Sequence, residues 1–414
     1  MKNTIKYFAL FVIAFSISIL ACKNSKEHSK AADSSIIEKV VPENLKWSER
    51  MMLSEIERVP KASMLDFVKK PRWSYTNGLV LSAAIKVYEE TNNQTYYDYI
   101  YTYADEMIDS TGNIKTYKLS NQNLDMIKSG DVLLYLYPKT KEERFLKAIE
   151  TLNSQLESQP KTSEGGYWHK KVYPNQMWLD GLYMAEPFHT HYAKDYVKDA
   201  TKAENIYNHI VLQFDLIQKH SRDGKTGLLY HGWDESKEQK WANKETGNSP
   251  NFWSRAMGWY GMAMVDVLDF LPENHSGRER IITYLNQFAE AITKVQDKSG
   301  LWWQVLDQGD RDGNYLEATG TSMFTYAFAK GVHKGYLDKK YLAVAEKAYE
   351  GLIDNLVSVE ENGLVNLNKC CGVAGLGGNP YRDGSYEYYI NEIIRSNDPK
   401  GTGPFILASL ELNK

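Results

Sequence analysis

The sequence predicts an all-α protein, an (α/α)6 barrel of six helical hairpins, on three observations. Apolar residues recur at helical spacing from Trp47 onward, as in Leu79-Val80, Ala83-Ala84 and Val87, or Met262, Val265, Val267-Leu268 and Leu271. Alternation of β-branched residues over a strand's length is scarce. The third observation is a recurring turn: Asp109-Ser-Thr-Gly112-Asn-Ile, Ser163-Glu-Gly-Gly166-Tyr-Trp168, Asp223-Gly-Lys-Thr-Gly227-Leu-Leu, Asp297-Lys-Ser-Gly300-Leu-Trp302 and Glu360-Glu-Asn-Gly363-Leu-Val. Each sets an acidic or small polar residue before a Gly able to take positive φ, then returns to apolar residues. From Gly112 through Gly166, Gly227 and Gly300 to Gly363 the intervals are 54, 61, 73 and 63 residues. Each interval holds two helices of roughly ten to twenty residues plus loops. Five turns imply six hairpins. Units that each bury a face against their neighbours form a ring or a solenoid. An open solenoid needs polar capping repeats and does not call for so much Trp and Tyr. The closed barrel, with inner helices lining one cavity, is therefore expected as one domain over residues 44–414.

The chain opens on a different pattern. Lys2 and Lys6 flank the start of an apolar run from Tyr7 to Ala21, too short for a comfortable membrane span. Residues 1–21 read as a secretory signal peptide. Ile19-Leu20-Ala21-Cys22 resembles a bacterial lipobox, so Cys22 is the expected lipidation site, with an ordinary cleaved signal as the alternative. Residues 22–43 are rich in Lys, Ser and Glu, as a flexible tether would be. The expectation is an exported bacterial lipoprotein, facing the periplasm or the cell surface and touching membrane through its lipid anchor only. Of the other cysteines, Cys370 and Cys371 are adjacent and poorly placed to bridge each other; they read as small residues at a crowded turn before Gly372.

Composition narrows the function. With 49 Lys+Arg against 53 Asp+Glu the formal charge is −4, which gives no basis for nucleic-acid binding. Charged residues at 25% and hydrophobic residues at 43% are globular values. Aromatic residues are abundant, with 29 Tyr, 10 Trp and 13 Phe in 414 residues. Flat apolar faces with polar tips suit sugar rings, and equally a large aromatic core.

Three segments carry candidate chemistry. In Pro174-Asn-Gln-Met-Trp178-Leu-Asp180-Gly-Leu-Tyr-Met-Ala185, Asp180 sits within a strongly apolar helical run. Desolvation there raises a carboxyl pKa and makes a general acid; a helix cap or turn bond is the other reading. In Asn121-Gln-Asn-Leu-Asp125-Met-Ile, Asp125 reads either as an N-cap or as a second carboxyl facing Asp180. In Asn251-Phe-Trp253-Ser-Arg255-Ala-Met-Gly258-Trp259, a guanidinium between two indoles suits an anionic sugar, or packs structurally as a cation–π pair. His169 and His231 follow the recurring turn at matching places. His189 and His191, two apart, point to different helix faces and read as core or surface residues; no i,i+4 His pair stands beside a Glu, so no metal is expected.

These blocks, in this order, together with Gly320-Thr-Ser322-Met-Phe and Gly401-Thr-Gly403-Pro-Phe-Ile-Leu-Ala, resemble the unsaturated rhamnogalacturonyl hydrolases, glycoside hydrolase family 105, related to the unsaturated glucuronyl hydrolases of family 88. The resemblance runs from about Trp73 to the C-terminus, and its most specific parts are Trp178-Leu-Asp180-Gly and Trp253-Ser-Arg-Ala-Met-Gly-Trp259. It implies an (α/α)6 barrel that removes a terminal 4,5-unsaturated uronic acid by hydrating C4=C5, with no cofactor. It also implies that Asp180 protonates C4 and helps activate water, that Asp125 assists, and that Tyr75, His169, His231, Trp253, Arg255 and Trp259 surround the unsaturated ring. The expected partner is an acidic oligosaccharide, either ulvan-type glucuronyl-rhamnose or pectic galacturonyl-rhamnose, acted on by a monomer. Lys237–Asn251 and Asp307–Asn314 are the loops placed to meet the leaving sugar. An ordinary two-carboxylate glycosidase on the same barrel and a glycan-binding lipoprotein without catalysis are the alternatives.

Overall fold

The computed structural model describes residues 39–414; the signal peptide, Cys22 and most of the tether lie outside the described residues. The chain forms α1 (Trp47–Arg58), α2 (Tyr75–Thr91), α3 (Gln94–Met107), α4 (Gly130–Thr140), α5 (Glu143–Ser158), α6 (Leu179–Tyr196), α7 (Ala200–Ser221), α8 (Ser254–Val267), α9 (Arg278–Lys294), α10 (Ala318–His333), α11 (Lys340–Leu356), a short α12 (Tyr386–Ile390) and α13 (Pro399–Glu411). Six helices form a closed inner ring in the order α2, α4, α6, α8, α10, α13 and back to α2, and each inner helix packs on one outer helix. This is the six-hairpin helical barrel.

The two rings follow from two kinds of sequence. Outer helices carry one apolar stripe: α5 buries Phe145, Ala148, Ile149, Leu152 and Leu156 and leaves Lys147, Glu150 and Ser154 outside. Most inner helices are buried nearly all round. In α10 every residue from Ala318 to Gly331 is buried, which is why Gly, Ala, Ser and Thr are frequent there. α13, the last inner helix, pairs with α1, the first outer one, so the sixth hairpin is made from the two ends of the described chain.

The recurring turns join each outer helix to the next inner helix. Gly112, Gly227, Gly300 and Gly363 take positive φ as expected. In the second turn the left-handed residue is Gly165 (φ +94°) and not Gly166. Gly166 answers a different demand: a Cβ there would lie 2.1 Å from Met177 Sδ. Val41 is also fully buried, with Val40 donating its N–H to the Asn362 carbonyl, so the folded unit reaches back into the segment read as tether.

Short strands lace the loops at the amino ends of the inner helices. β1 (Gln176–Trp178) pairs antiparallel with β2 (Gly232–Asp234), and β3 (Trp302–Trp303) with β4 (Leu316–Glu317). β5 (Val357–Val359) pairs with β6 (Val365–Leu367), and β7 (Cys370–Cys371) with β8 (Ile394–Arg395). Single bonds extend the lacing: Leu124 N–H to His169 C=O, His169 N–H to Gln176 C=O, Leu179 N–H to His231 C=O and Ser254 N–H to Gln304 C=O. Loops from different hairpins thereby hold one another in register.

Candidate active site

Asp180 lies in the first turn of α6, where its side chain is buried and does not cap the helix. Its Oδ2 approaches His231 Nε2 at 3.2 Å, an ion-pair contact without the alignment of a good hydrogen bond. The other nitrogen, His231 Nδ1, is 2.8 Å from the Tyr389 hydroxyl. His231 comes from the loop leading into β2, which β1 fixes immediately before α6. Tyr389 comes from α12, 158 residues further on.

Asp125 sits on a 3-10 turn, Leu124–Met126, and the cap there is Asn123, whose side chain accepts the Asp125 N–H. The Asp125 carboxylate does not cap this turn. Its Oδ1 lies 3.4 Å from His169 Nε2 and its Oδ2 2.5 Å from Lys170 Nζ. Lys170 escaped the sequence reading although it adjoins His169. His169 feels the charges of Asp125, Lys170, Asp180 and His231.

Aromatic rings wall this group. Trp178 stacks on His169 (4.5 Å, 17°) and on Tyr173 (5.2 Å, 15°). Trp253 packs against His231 at 4.7 Å, stacks on Tyr389 at 5.9 Å, and carries the Arg255 guanidinium 4.7 Å over its ring. The packing reading of Arg255 holds: it is a cation–π partner, and Nη1 also donates to the Cys371 carbonyl at 2.6 Å. Cys371 thus has a definite role beside its neighbour Cys370, its backbone anchoring Arg255. The Cys371 N–H in turn donates to Glu317, the buried carboxylate that caps α10 through Thr319 and Gly320. Tyr75, first residue of α2, meets Trp259 edge-on at 6.2 Å.

Asp125, Asp180, His169, His231, Trp253 and Arg255 thus fall into one group of contacts, while Tyr75 and Trp259 form a pair of their own. Lys170, Trp178, Tyr389 and Glu317 join them; Trp178 was visible inside the Asp180 block, whereas nothing local marks Tyr389. His189 is buried in α6, and His191 stacks on Phe270 at 4.1 Å, away from this group. Among the described residues no cluster of His, Cys, Asp and Glu is arranged to hold a metal ion.

One electrostatic expectation is corrected. Burial does push the Asp180 carboxyl upward, but the charge and contact of His231, helped by His169 and Arg255, outweigh it and hold Asp180 below the usual carboxylate range. His169 moves the other way: burial presses its pKa down to about 4, against the pull of Asp125. The free protein therefore holds an ionised Asp180 beside a neutral His169.

A barrel whose inner-helix ends gather a buried and a half-buried carboxylate, two histidines, an arginine and stacked indoles is the arrangement of a glycoside hydrolase. The chain belongs to Glycosyl Hydrolase Family 88, which it matches over residues 47–414. It is similar to a solved Clostridium acetobutylicum glycoside hydrolase from family 105, with 45% identity and a TM-score of 0.84 over 89% of this chain and 99% of that one. It is 27% identical to the unsaturated rhamnogalacturonyl hydrolase YesR of Bacillus subtilis, over 77% of this chain and 85% of that protein. It is also 27% identical to an unsaturated 3S-rhamnoglycuronyl hydrolase of Formosa agariphila, over 57% of each chain.

Proposed function

We propose that this glycoside hydrolase removes a terminal 4,5-unsaturated uronic acid from rhamnose-containing oligosaccharides left by a polysaccharide lyase. The observation that carries this reading is Asp180, a buried carboxylate held against His231 at 3.2 Å inside an aromatic wall, with Asp125 and His169 alongside. In the reaction a proton adds to C4 and the oxygen of a water to C5. The resulting C5 hemiketal opens to a ketone, which leaves a hemiacetal at C1; its collapse to the aldehyde expels the sugar alcohol. One water is consumed and no redox partner is needed.

The structure refines how Asp180 would supply the proton. Asp180 rests ionised, so apolar burial does not store a proton on it. The uronide's own carboxylate entering the site adds a like charge, which drives the Asp180 carboxyl upward and favours its protonation on binding. After delivering that proton to C4, the carboxylate takes one from the attacking water. Asp125 eases the positive charge that develops at C5, and Lys170 holds Asp125 in place. Arg255, with Tyr75 and the indoles of Trp253 and Trp259, faces the ring and its carboxylate.

The conjugated C4=C5 absorbs in the ultraviolet, so turnover is followed as loss of absorbance. Wild type and Asp180→Asn are compared on lyase-made rhamnogalacturonan and ulvan disaccharides. The expected result is decay with wild type and at least about a thousandfold slower decay with Asp180→Asn, which folds normally. The pectic substrate is expected to be the faster, since the relative named for rhamnogalacturonyl substrates matches over more of both chains. Unchanged absorbance on both, with cleavage of saturated uronides, would establish the ordinary two-carboxylate glycosidase instead. Binding of both without any cleavage would leave the non-catalytic glycan binder. The lipobox-like Ile19-Leu20-Ala21-Cys22 supports export and anchoring at Cys22, which the mass of the mature N-terminus tests.

A further inference from the structure

Six residues beyond Asp180 on α6, Glu186 is 1% exposed, behind the substrate face. Its Oε2 has no hydrogen-bond partner among the described residues, and neither has His169 Nδ1. Both side chains line one small cavity of about 10 Å³, together with Leu124, Met177, Trp178 and Gln213. A space of that size admits one water, provided polar groups surround it. Glu186 and His169 supply unpartnered atoms, beside the Gln213 amide that already accepts from Tyr167 N–H and donates to the Gly165 carbonyl.

The chemistry of the two groups is complementary. A neutral imidazole has one N–H and one lone pair, and His169 turns Nε2 toward the Asp125 carboxylate at 3.4 Å. With the proton on Nδ1, the Nε2 lone pair would face that carboxylate, acceptor against acceptor. With the proton on Nε2 the contact is favourable, and Nδ1 then needs a donor. Burial raises the Glu186 carboxyl well above the usual range, so it keeps an O–H to give.

We propose that Glu186, through one water in this cavity, donates to His169 Nδ1 and so fixes the ring proton on Nε2, facing Asp125. Glu186 touches no substrate and is a positioning residue. The inference rests on the reading of His169 as a wall of the substrate site. Its chemistry is that of a tautomer lock: the hydrogen bond at one ring nitrogen decides which proton the other presents.

The test uses full-length mature protein with labelled histidine, without substrate. Two-bond proton–nitrogen spectra report the tautomer of each ring, and His169→Gln assigns the signal. Wild type and Glu186→Gln, whose amide retains an N–H donor, are expected to show His169 as the Nε2–H tautomer. Glu186→Leu is expected to lose that preference and at least about tenfold in kcat, while Glu186→Gln stays within about threefold. An Nδ1–H ring in wild type overturns the proposal even if Glu186→Leu does not fold. An unchanged His169 spectrum in a folded Glu186→Leu, or equal damage in the Gln and Leu variants, overturns it as well. Because the spectra need no substrate, a protein inactive on unsaturated uronides but locked at Nε2 would sink the proposed function alone.

Discussion

At the scale of single residues, the charge of Asp180 is decided by its neighbour and not by its burial. His231 holds the carboxyl below the usual range against desolvation. The sign of the linkage follows. A carboxylate with a depressed folded pKa contributes stability above its unfolded pKa of about 3.9 and loses it as pH falls through the folded value. Replacing His231 by Gln removes the neighbour that most opposes burial, so burial dominates and the Asp180 pKa moves up. The variant should then be less stable than wild type by about 3 kcal/mol near pH 7, as for a buried charge stripped of its partner, and the gap should narrow as pH falls toward 4. Thermal unfolding of both proteins across that range measures it; a gap independent of pH would show that Asp180 does not depend on His231. His169 and His231 were legible because they follow the repeat turn at matching places, and Asp180 because it interrupts a strongly apolar run. The direction of the Asp180 shift was not, because its cause is a contact between residues 51 positions apart. Tyr389, more distant still, has no local signature at all.

At the scale of elements, the repeat turn shows what a sequence pattern can and cannot locate. The helical spacing and the turn spacing both lie in local sequence, so the hairpins were readable. The two-residue and three-residue strands that lace the loops were not, because so short a strand carries no alternation. Where two glycines adjoin, as at Gly165-Gly166, sequence alone cannot say which one turns the chain and which one yields space. Gly300 gives the plainest test of the turn. It has φ +90°, and a Cβ there would lie 2.3 Å from the Lys347 carbonyl oxygen of α11. Gly224, in the turn before α8, would place a Cβ with nothing within 4 Å and has no such φ. Gly300→Ala should therefore cost at least about 2 kcal/mol, from left-handed backbone strain and the clash together. Gly224→Ala should change stability by less than about 0.5 kcal/mol, or raise it slightly by stiffening the unfolded chain. Urea denaturation separates the two, and equal effects would mean that the turn does not constrain the hairpin.

At the scale of the whole molecule, the barrel closes where its first and last elements meet, and that seam is ionic as well as apolar. Lys400, in the first turn of α13, is 1% exposed and reaches Asp66 Oδ1 and Asp398 Oδ1 at 2.9 Å each. Asp66 belongs to the loop between α1 and α2, and is also bound by Arg72 and Arg395 at 2.8 Å. It takes a left-handed φ of 70°, followed by Phe67 at 58°, a strained pair that the three cations hold down. The network thus ties the entry of the first inner helix to the entry of the last. Five repeat turns implied six hairpins, but nothing local in the sequence says that the sixth is built from α13 and α1, or that Asp66 and Lys400 meet across 334 positions. Burial raises the Asp66 carboxyl, but Lys400, Arg72 and Arg395 outweigh it and leave it below the usual range. Its contribution to stability is therefore present above the unfolded pKa and lost as pH falls through the folded one. Lys400→Met keeps the volume of the side chain and removes the charge, leaving two buried carboxylates to the arginines alone. The expected loss is about 3 kcal/mol at pH 7, shrinking in acid as Asp66 protonates. Chemical denaturation at pH 7 and at a pH well below the usual carboxylate range reads both values. If closure is apolar only, the Met variant will match wild type at both; if the seam is ionic, the difference will be large at neutral pH and largely gone in acid.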